Sequence, residues 1–183
     1  MKKIEEQRPI LTRPVDDRYP VIQEYGVINP YTTKFYGEYQ GRHPGVDFGM
    51  PERSYVVTAF PGIVYRTQDN HPGMGKVVAV VSNNIYGIYG HLNEIGVDLG
   101  QVVRTGELIG LSGNTGSATL EPHLHFELRD LTMRPLNEMI FEPIFGERIR
   151  QWMELVGCVT NLNWIHAVGG LGLRDVLGIN IRR

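Results

Sequence analysis

Hydrophobic residues between Tyr19 and Leu136 occur in short runs that glycine, proline and asparagine separate. Short runs bounded by turn-forming residues are typical of the strands of an all-β domain. The pattern predicts five strands, at Gly62–Arg66, Lys76–Ser82, Ile85–Tyr89, Leu108–Leu111 and His123–Leu128. The segment Ser82-Asn83-Asn84 separates two of these strands and predicts a tight hairpin turn. We therefore expect a mostly β fold built from an antiparallel sheet.

The two ends of the chain differ from this central part. Residues 1–18 are polar and interrupted by prolines, which predicts an extended lead-in. The pattern changes again after Pro135, so the main domain is expected at residues 19–136 and a C-terminal extension at residues 137–183.

One short amphipathic helix is predicted inside the extension. Residues 146–156 place four apolar side chains at helical spacing, namely Ile149, Trp152, Met153 and Val156. The glycine-rich, apolar tail at residues 157–183 either packs back on the domain or meets another chain.

Composition narrows the class of protein. The 183 residues suffice for one domain with a hydrophobic core, and 42% hydrophobic and 21% charged residues are typical of a globular protein. The formal net charge of −2 lacks the basic excess of nucleic-acid-binding proteins, so no nucleic acid partner is expected. Cys158 is the single cysteine, which excludes an intrachain disulfide and is typical of a small buried residue.

No targeting or membrane segment is expected in this sequence. The basic residues at the N-terminus, Met-Lys-Lys-Ile-Glu-Glu, have no apolar run behind them, so no secretory signal peptide is expected. No stretch approaches the ~20 apolar residues that cross a bilayer, so no transmembrane segment is expected. Either the protein leaves the cell by another route or a leader has been removed, and a phage or prophage origin would fit.

The segment Gly41–Gly49 contains His43 and Asp47, four residues apart. Pro44 and Gly45 disfavour a helix between them, so the segment is expected to be a loop that leads into a strand. The two side chains can bind one metal ion if the loop turns them inward. A chance pair is the alternative.

The predicted strand at residues 123–128 carries a pair of histidines. Alternation places His123, His125 and Glu127 on one face, and Leu124, Phe126 and Leu128 on the other. This predicts a half-buried strand with two imidazoles above an apolar underside. Glu127 is a candidate hydrogen-bond partner for one imidazole. A solvent-facing surface that happens to contain histidines is the alternative.

A further histidine, His91, lies at the end of a glycine-interrupted strand. A working residue is one interpretation of this position, and a surface residue that makes one hydrogen bond is the alternative.

Taken together, the segments supply two histidines and one aspartate as possible metal ligands, with two histidines left over for acid–base work. Catalytic zinc sites use three such ligands and keep an open position for water. Zinc lowers the pKa of that water to about 7 and polarises a carbonyl group.

These elements resemble the lysostaphin-type (LytM-like) zinc endopeptidases. The chain contains their H-x-x-x-D element at His43 and Asp47, their histidine-leucine element at His91, and their H-x-H element at His123 and His125. The connecting segments at residues 100–107 and 109–116 are similar as well, and the resemblance covers residues 19–136.

The resemblance implies that His43, Asp47 and His125 bind zinc. It implies that His91 and His123 stay off the metal, flank the bound water and share the roles of general base and oxyanion stabilisation, without saying which does which. The expected fold is an antiparallel β-sheet with a groove across it. The implied substrate is a peptide in bacterial peptidoglycan, in a stem-peptide cross-link or a cross-bridge. The implied location is the cell envelope or the extracellular space.

Two other functions compete with this interpretation. Some proteins of the family lack metal ligands and regulate other wall enzymes, whereas this chain keeps all five residues. The glycines and valines of residues 100–110 resemble lipoyl- or biotin-carrier domains, and histidines can accept phosphoryl groups. However, no lysine stands at a hairpin tip, and Asp47 would be left unexplained.

Several residues near these motifs are given structural roles. His71 lies in a turn-rich segment, Tyr86 and Tyr89 are expected in the core or the groove wall, and His166 is expected in packing or at the surface. Specificity is expected in two segments, Tyr25–Gly41 and Thr67–Gly75, which could also cover the groove. No feature specifies an oligomeric state.

Overall fold

The computed structural model describes residues 10–82, 85–136 and 140–142. Strands dominate, with two single-turn 3₁₀ helices at Thr33–Phe35 and Gly37–Tyr39. The strands are β1 (Ile10–Thr12), β2 (Val21–Gln23), β3 (Val46–Gly49), β4 (Tyr55–Val57), β5 (Gly62–His71), β6 (Gly75–Ser82), β7 (Ile85–Leu92), β8 (Glu94–Ile95), β9 (Val102–Val103), β10 (Leu108–Leu111), β11 (His123–Asp130) and β12 (Ile140–Glu142). The helix predicted at residues 146–156, Cys158 and the tail lie outside the described residues.

The main sheet has seven strands in the order β2-β3-β11-β7-β6-β5-β9, and every two adjacent strands in it pair antiparallel. A second, three-stranded sheet has the order β4-β10-β8, and β1 pairs with β12 in parallel. The expected mostly β, antiparallel fold is confirmed. The order places β11 at the centre of the site, because β11 lies between β3 and β7.

The hydrophobic core covers one face of the main sheet. Because side chains alternate along a strand, β11 directs Leu124, Phe126 and Leu128 into this core, where all three are buried. Leu11 and Val15, from the predicted lead-in, are also fully buried in it. The opposite face of the sheet is left for the site, so β11 supplies the core with one set of side chains and the site with the other.

All five predicted strands are present, and most extend beyond the predicted bounds. The strand predicted at Gly62–Arg66 continues to His71, since its backbone stays paired with β6 after its apolar run ends. Ser82 lies opposite Ile85 in the β6–β7 pair, which agrees with the predicted hairpin, although the turn residues 83–84 lie outside the described residues. The remaining strands have two to four residues, too few to show a period in sequence.

Among the described residues, no helix has the length and apolar character that would let it cross a membrane.

Candidate metal centre and groove

Three side chains converge on the polar face of the sheet. Nε2 of His43 lies 3.1 Å from Oδ1 of Asp47 and 3.1 Å from Nδ1 of His125, and that Nδ1 lies 2.7 Å from the same Asp47 oxygen. All three residues are buried, with exposed fractions of 0%, 5% and 2%. The structure therefore brings together the three residues that the sequence proposed as metal ligands.

Strand pairing produces this convergence. Asp47 on β3 lies directly opposite His125 on β11, so the two side chains leave the sheet side by side. His43 comes from the loop before β3, which crosses β11 closely at Gly45. A Cβ at Gly45 would lie 2.4 Å from the carbonyl oxygen of Phe126. Glycine is therefore required at Gly45, and the loop reaches the site because of it.

The donor set fits a zinc ion. Imidazole nitrogen and carboxylate oxygen are zinc ligands, and a tetrahedron with bonds of 2.0–2.1 Å separates its ligands by about 3.3 Å. The observed separations of 2.7–3.1 Å are slightly shorter than this value.

The second ring nitrogen of each proposed histidine ligand also has a partner, which is usual for histidines that bind metals. Nδ1 of His43 donates to the backbone carbonyl of Glu24 at 3.1 Å, and Nε2 of His125 donates to Oε1 of Glu127 at 2.8 Å. These bonds leave Nε2 of His43 and Nδ1 of His125 facing the centre.

The protonation of the site reflects the close approach of opposite charges. Burial alone would raise the pKa of Asp47, but the hydrogen bonds and charges of His125 and His43 hold it well below its usual value of 3.8. Burial alone would lower the pKa of His125, but Asp47 and Glu127 outweigh it and raise that pKa to about 10. A metal ion at this centre would take the place of the proton on His125 Nδ1, so metal binding should release a proton.

His91 and His123 lie beside this centre with their ring centroids 4.6 Å apart. Nδ1 of His91 donates to the carbonyl of Thr115 at 2.7 Å, and Nδ1 of His123 donates to the carbonyl of Glu121 at 2.8 Å. Each ring therefore keeps a lone pair on Nε2. Burial is the main cause that lowers the pKa of both rings, to about 3 for His91, so both are neutral near pH 7.

A β-bulge directs His91 into the site. Strict alternation would place His91 on the same face as Tyr89, whose ring is buried in the core. The β6–β7 register shifts between Val78 and Lys76, and His91 adopts a φ of +59°. Such a φ is uncommon outside glycine, and bulges re-aim side chains next to active sites. A hydrogen bond from the His91 N–H to the Met74 carbonyl, 2.7 Å long, holds this conformation.

A groove of about 320 Å³ adjoins the centre, and both His91 and His125 line it. Its floor contains a small apolar cluster formed by Val77, Ala79 and Ile88. Both segments in which specificity was expected contribute to its walls, with Phe35, Tyr36, Glu38 and Tyr39 from the first and His71, Gly73 and Met74 from the second.

Other residues near the centre take the following positions. Tyr86 lies in the groove wall and Tyr89 in the core. The face of β11 that carries the histidines is buried rather than half-buried, because the loop before β3 covers it. His166 lies outside the described residues.

Sequence reasoning missed two side chains near the centre. The ring of Tyr36 packs 5.3 Å from that of His43, and Arg129 pairs with Glu127 behind His125. The alternation of β11 could have identified Arg129, since it continues the face that carries the histidines. Nothing in the local sequence marks Tyr36.

Comparison with known proteins agrees with this geometry. The sequence model of peptidase family M23 matches residues 41–138. The peptidoglycan DD-endopeptidase ShyA of Vibrio cholerae is 39% identical over 136 residues, which are 73% of this chain and 30% of ShyA. The chain spans less than a third of the length of the first curated relatives that it matches.

Two crystal structures have the same fold. A zinc-containing peptidase from Vibrio cholerae has a TM-score of 0.61 and 30% identity, and the match covers 73% of this chain and 40% of that one. The catalytic domain of the antimicrobial peptidase lysostaphin from Staphylococcus simulans has a TM-score of 0.55 and 25% identity, and the match covers 74% of this chain and 92% of that one.

Proposed function

The chain belongs to peptidase family M23, and we propose that it is a zinc-dependent endopeptidase that hydrolyses peptide bonds in bacterial peptidoglycan. The observation that carries this proposal is the buried triangle of His43, Asp47 and His125 with two neutral imidazoles beside it. The relative ShyA, a peptidoglycan DD-endopeptidase, supports the substrate class. By the same reasoning the protein acts in the cell envelope or outside the cell.

His43, Asp47 and His125 would hold the zinc ion. Zinc, when bound, supplies a nucleophilic water near neutral pH and polarises the scissile carbonyl. The protein contributes the fixed orientation of its ligands. Both ligand rings are tied at their second nitrogen, so little reorganisation is needed when the substrate arrives.

His91 and His123 supply proton transfer. Each has its Nδ1–H bonded to a backbone carbonyl, so each ring can accept a proton only at Nε2. A ring that has taken the proton of the attacking water becomes a donor at the same atom. It can then stabilise the developing oxyanion or pass the proton to the leaving amine. Such general acid–base help is worth about 10²–10⁴-fold in rate.

The groove suits an extended peptide. It combines an apolar floor with aromatic walls and a few charged groups, Arg66 and Glu38 among them. Sites of this composition bury the apolar parts of a ligand and orient it through a small number of polar contacts. We propose that the peptide lies along this groove with its scissile bond next to His91.

Zinc content and the release of soluble fragments from purified peptidoglycan test the proposal. We expect about one zinc per wild-type chain, and loss of both zinc and release in His125→Ala. His71→Ala is the matched control, because His71 lines the groove without joining the triangle, and it should keep its zinc. A wild-type protein that binds zinc and peptidoglycan but releases nothing would instead favour a catalytically silent regulator.

A further inference from the structure

Glu127 is a buried carboxylate directly behind a proposed metal ligand. Only 2% of Glu127 is exposed, and its Oε1 lies 2.8 Å from Nε2 of His125. A carboxylate can only accept a hydrogen bond, so this ring nitrogen is the donor. A buried charge is costly unless it is paired and fully hydrogen-bonded. The fold alone does not require a charged pair at this position, since apolar residues in place of a whole buried ion pair are often neutral or stabilising.

Arg129 completes the arrangement. Its Nε donates to the second carboxylate oxygen of Glu127, and one of its terminal nitrogens donates to the carbonyl of Met133 at 3.3 Å. Its guanidinium also lies over the ring of Tyr39, 5.6 Å from the centroid. Both oxygens of Glu127 therefore accept hydrogen bonds. The arginine that orients them is itself held by the Met133 carbonyl and the Tyr39 ring.

We propose that Glu127, oriented by Arg129, is a positioning residue that fixes the ring and tautomer of His125. Because Glu127 accepts the Nε2–H, the neutral ring that binds a metal ion has its lone pair on Nδ1, the atom that faces Asp47 and His43. This inference rests on the proposed function, since it assumes that His125 binds the metal ion. Carboxylates in this role also raise the basicity of the ligand, and their loss typically lowers metal affinity by about 10–100-fold.

The Glu127–Arg129 pair could instead be an ion pair that only stabilises the sheet. The two explanations differ in what Glu127→Gln changes. A positioning role requires weaker zinc binding and a changed ligand geometry in the folded protein. A merely structural role predicts a loss of stability with unchanged zinc affinity. Glu107→Gln is a suitable control, because both oxygens of Glu107 accept hydrogen bonds from Gln101 and Arg104, outside the site.

The experiment measures the zinc dissociation constant by competition with a chelating dye, and the visible absorption spectrum of the cobalt-substituted protein. For Glu127→Gln we expect a dissociation constant about 10–100-fold higher than that of wild type and a shifted cobalt spectrum. Glu107→Gln should match wild type in both. Wild-type affinity together with a wild-type spectrum in folded Glu127→Gln overturns the proposal.

Arg129→Lys decides the question if Glu127→Gln does not fold. The lysine keeps the positive charge but loses the Nε contact that orients the carboxylate. We expect a change in the same direction, and unchanged affinity and spectrum overturn the proposal. Zinc binding is measured without substrate. A wild-type protein that binds zinc but does not hydrolyse peptidoglycan would therefore defeat the proposed function and leave this inference intact.

Discussion

Replacing Gly45 with alanine tests whether the loop before β3 holds His43 in place by close packing on β11. A Cβ at Gly45 would lie 2.4 Å from the carbonyl oxygen of Phe126 and 3.1 Å from Cε1 of His125, whereas ordinary contact begins at 3.4 Å. The Phe126 backbone cannot yield easily, because Phe126 pairs with residues of both β3 and β7. The loop must therefore move away by about 1 Å.

The size of the effect follows from this displacement. Overpacking of this kind costs about 1–3 kcal/mol in the free energy of unfolding. Because His43 lies two residues from Gly45, the shift should also lengthen its 3.1 Å separation from His125. We expect zinc binding to weaken about tenfold or more, as when a ligand loses its orienting partner. A 1 Å misplacement of this kind should lower the hydrolysis rate about 10²-fold.

Urea denaturation in the presence of a chelator measures the free energy of unfolding. Competition with a chelating dye measures zinc affinity, and the release of soluble peptidoglycan fragments measures the hydrolysis rate. Gly37→Ala is the matched control, because no atom lies within 4 Å of its added Cβ and its φ is not left-handed. That variant should stay within about 0.5 kcal/mol of wild type and keep its activity. A Gly45→Ala protein with wild-type stability, zinc affinity and rate would refute the close-packing argument.

Three other predictions follow from individual side chains. His91→Ala and His123→Ala should each keep zinc but lose about 10²–10⁴-fold in hydrolysis rate; loss of zinc, measured by metal analysis, would count against their role in proton transfer. Tyr89→Phe should lower the free energy of unfolding by about 1–3 kcal/mol, because the buried N–H of Ala59 donates to the Tyr89 hydroxyl at 2.8 Å; denaturation measures this, and the rate per folded molecule should not change. The chelator-treated protein should lose stability as the pH rises from 6.5 to about 10. The raised pKa of His125 stabilises the folded state fully below pH 6.5, and this stabilisation is lost as the folded ring deprotonates. A constant urea midpoint across that window would contradict this sign.

Much of the site was predictable because its signals are local. The alternation of β11 assigns His123, His125 and Glu127 to one face, and this assignment holds in the structure. Pro44 and Gly45 predicted a loop before β3, where His43 is found. The boundaries of the domain at residues 18 and 136 stay a prediction.

The parts that could not be predicted depend on long-range pairing. Arg129 is an exception, because alternation along β11 already places it on the same face as Glu127, and it was missed nonetheless. The contact of Tyr36 with His43 arises because two 3₁₀ turns fold that segment over the site. A turn of three residues leaves no periodic signal in the sequence.

By itself, the sequence determined the five predicted strands and the two faces of β11, because side-chain alternation is a property of each strand alone. It also supplied four histidines and an aspartate from which a metal site can be built. The tertiary structure decided which of these side chains meet. Asp47 and His125 are 78 positions apart, and only the register of β3 against β11 makes them neighbours. His91 would have faced the core under regular alternation, and a bulge against β6 turns it into the groove. Register and bulges are set by pairing between strands and by packing of the whole sheet, so no local pattern encodes them.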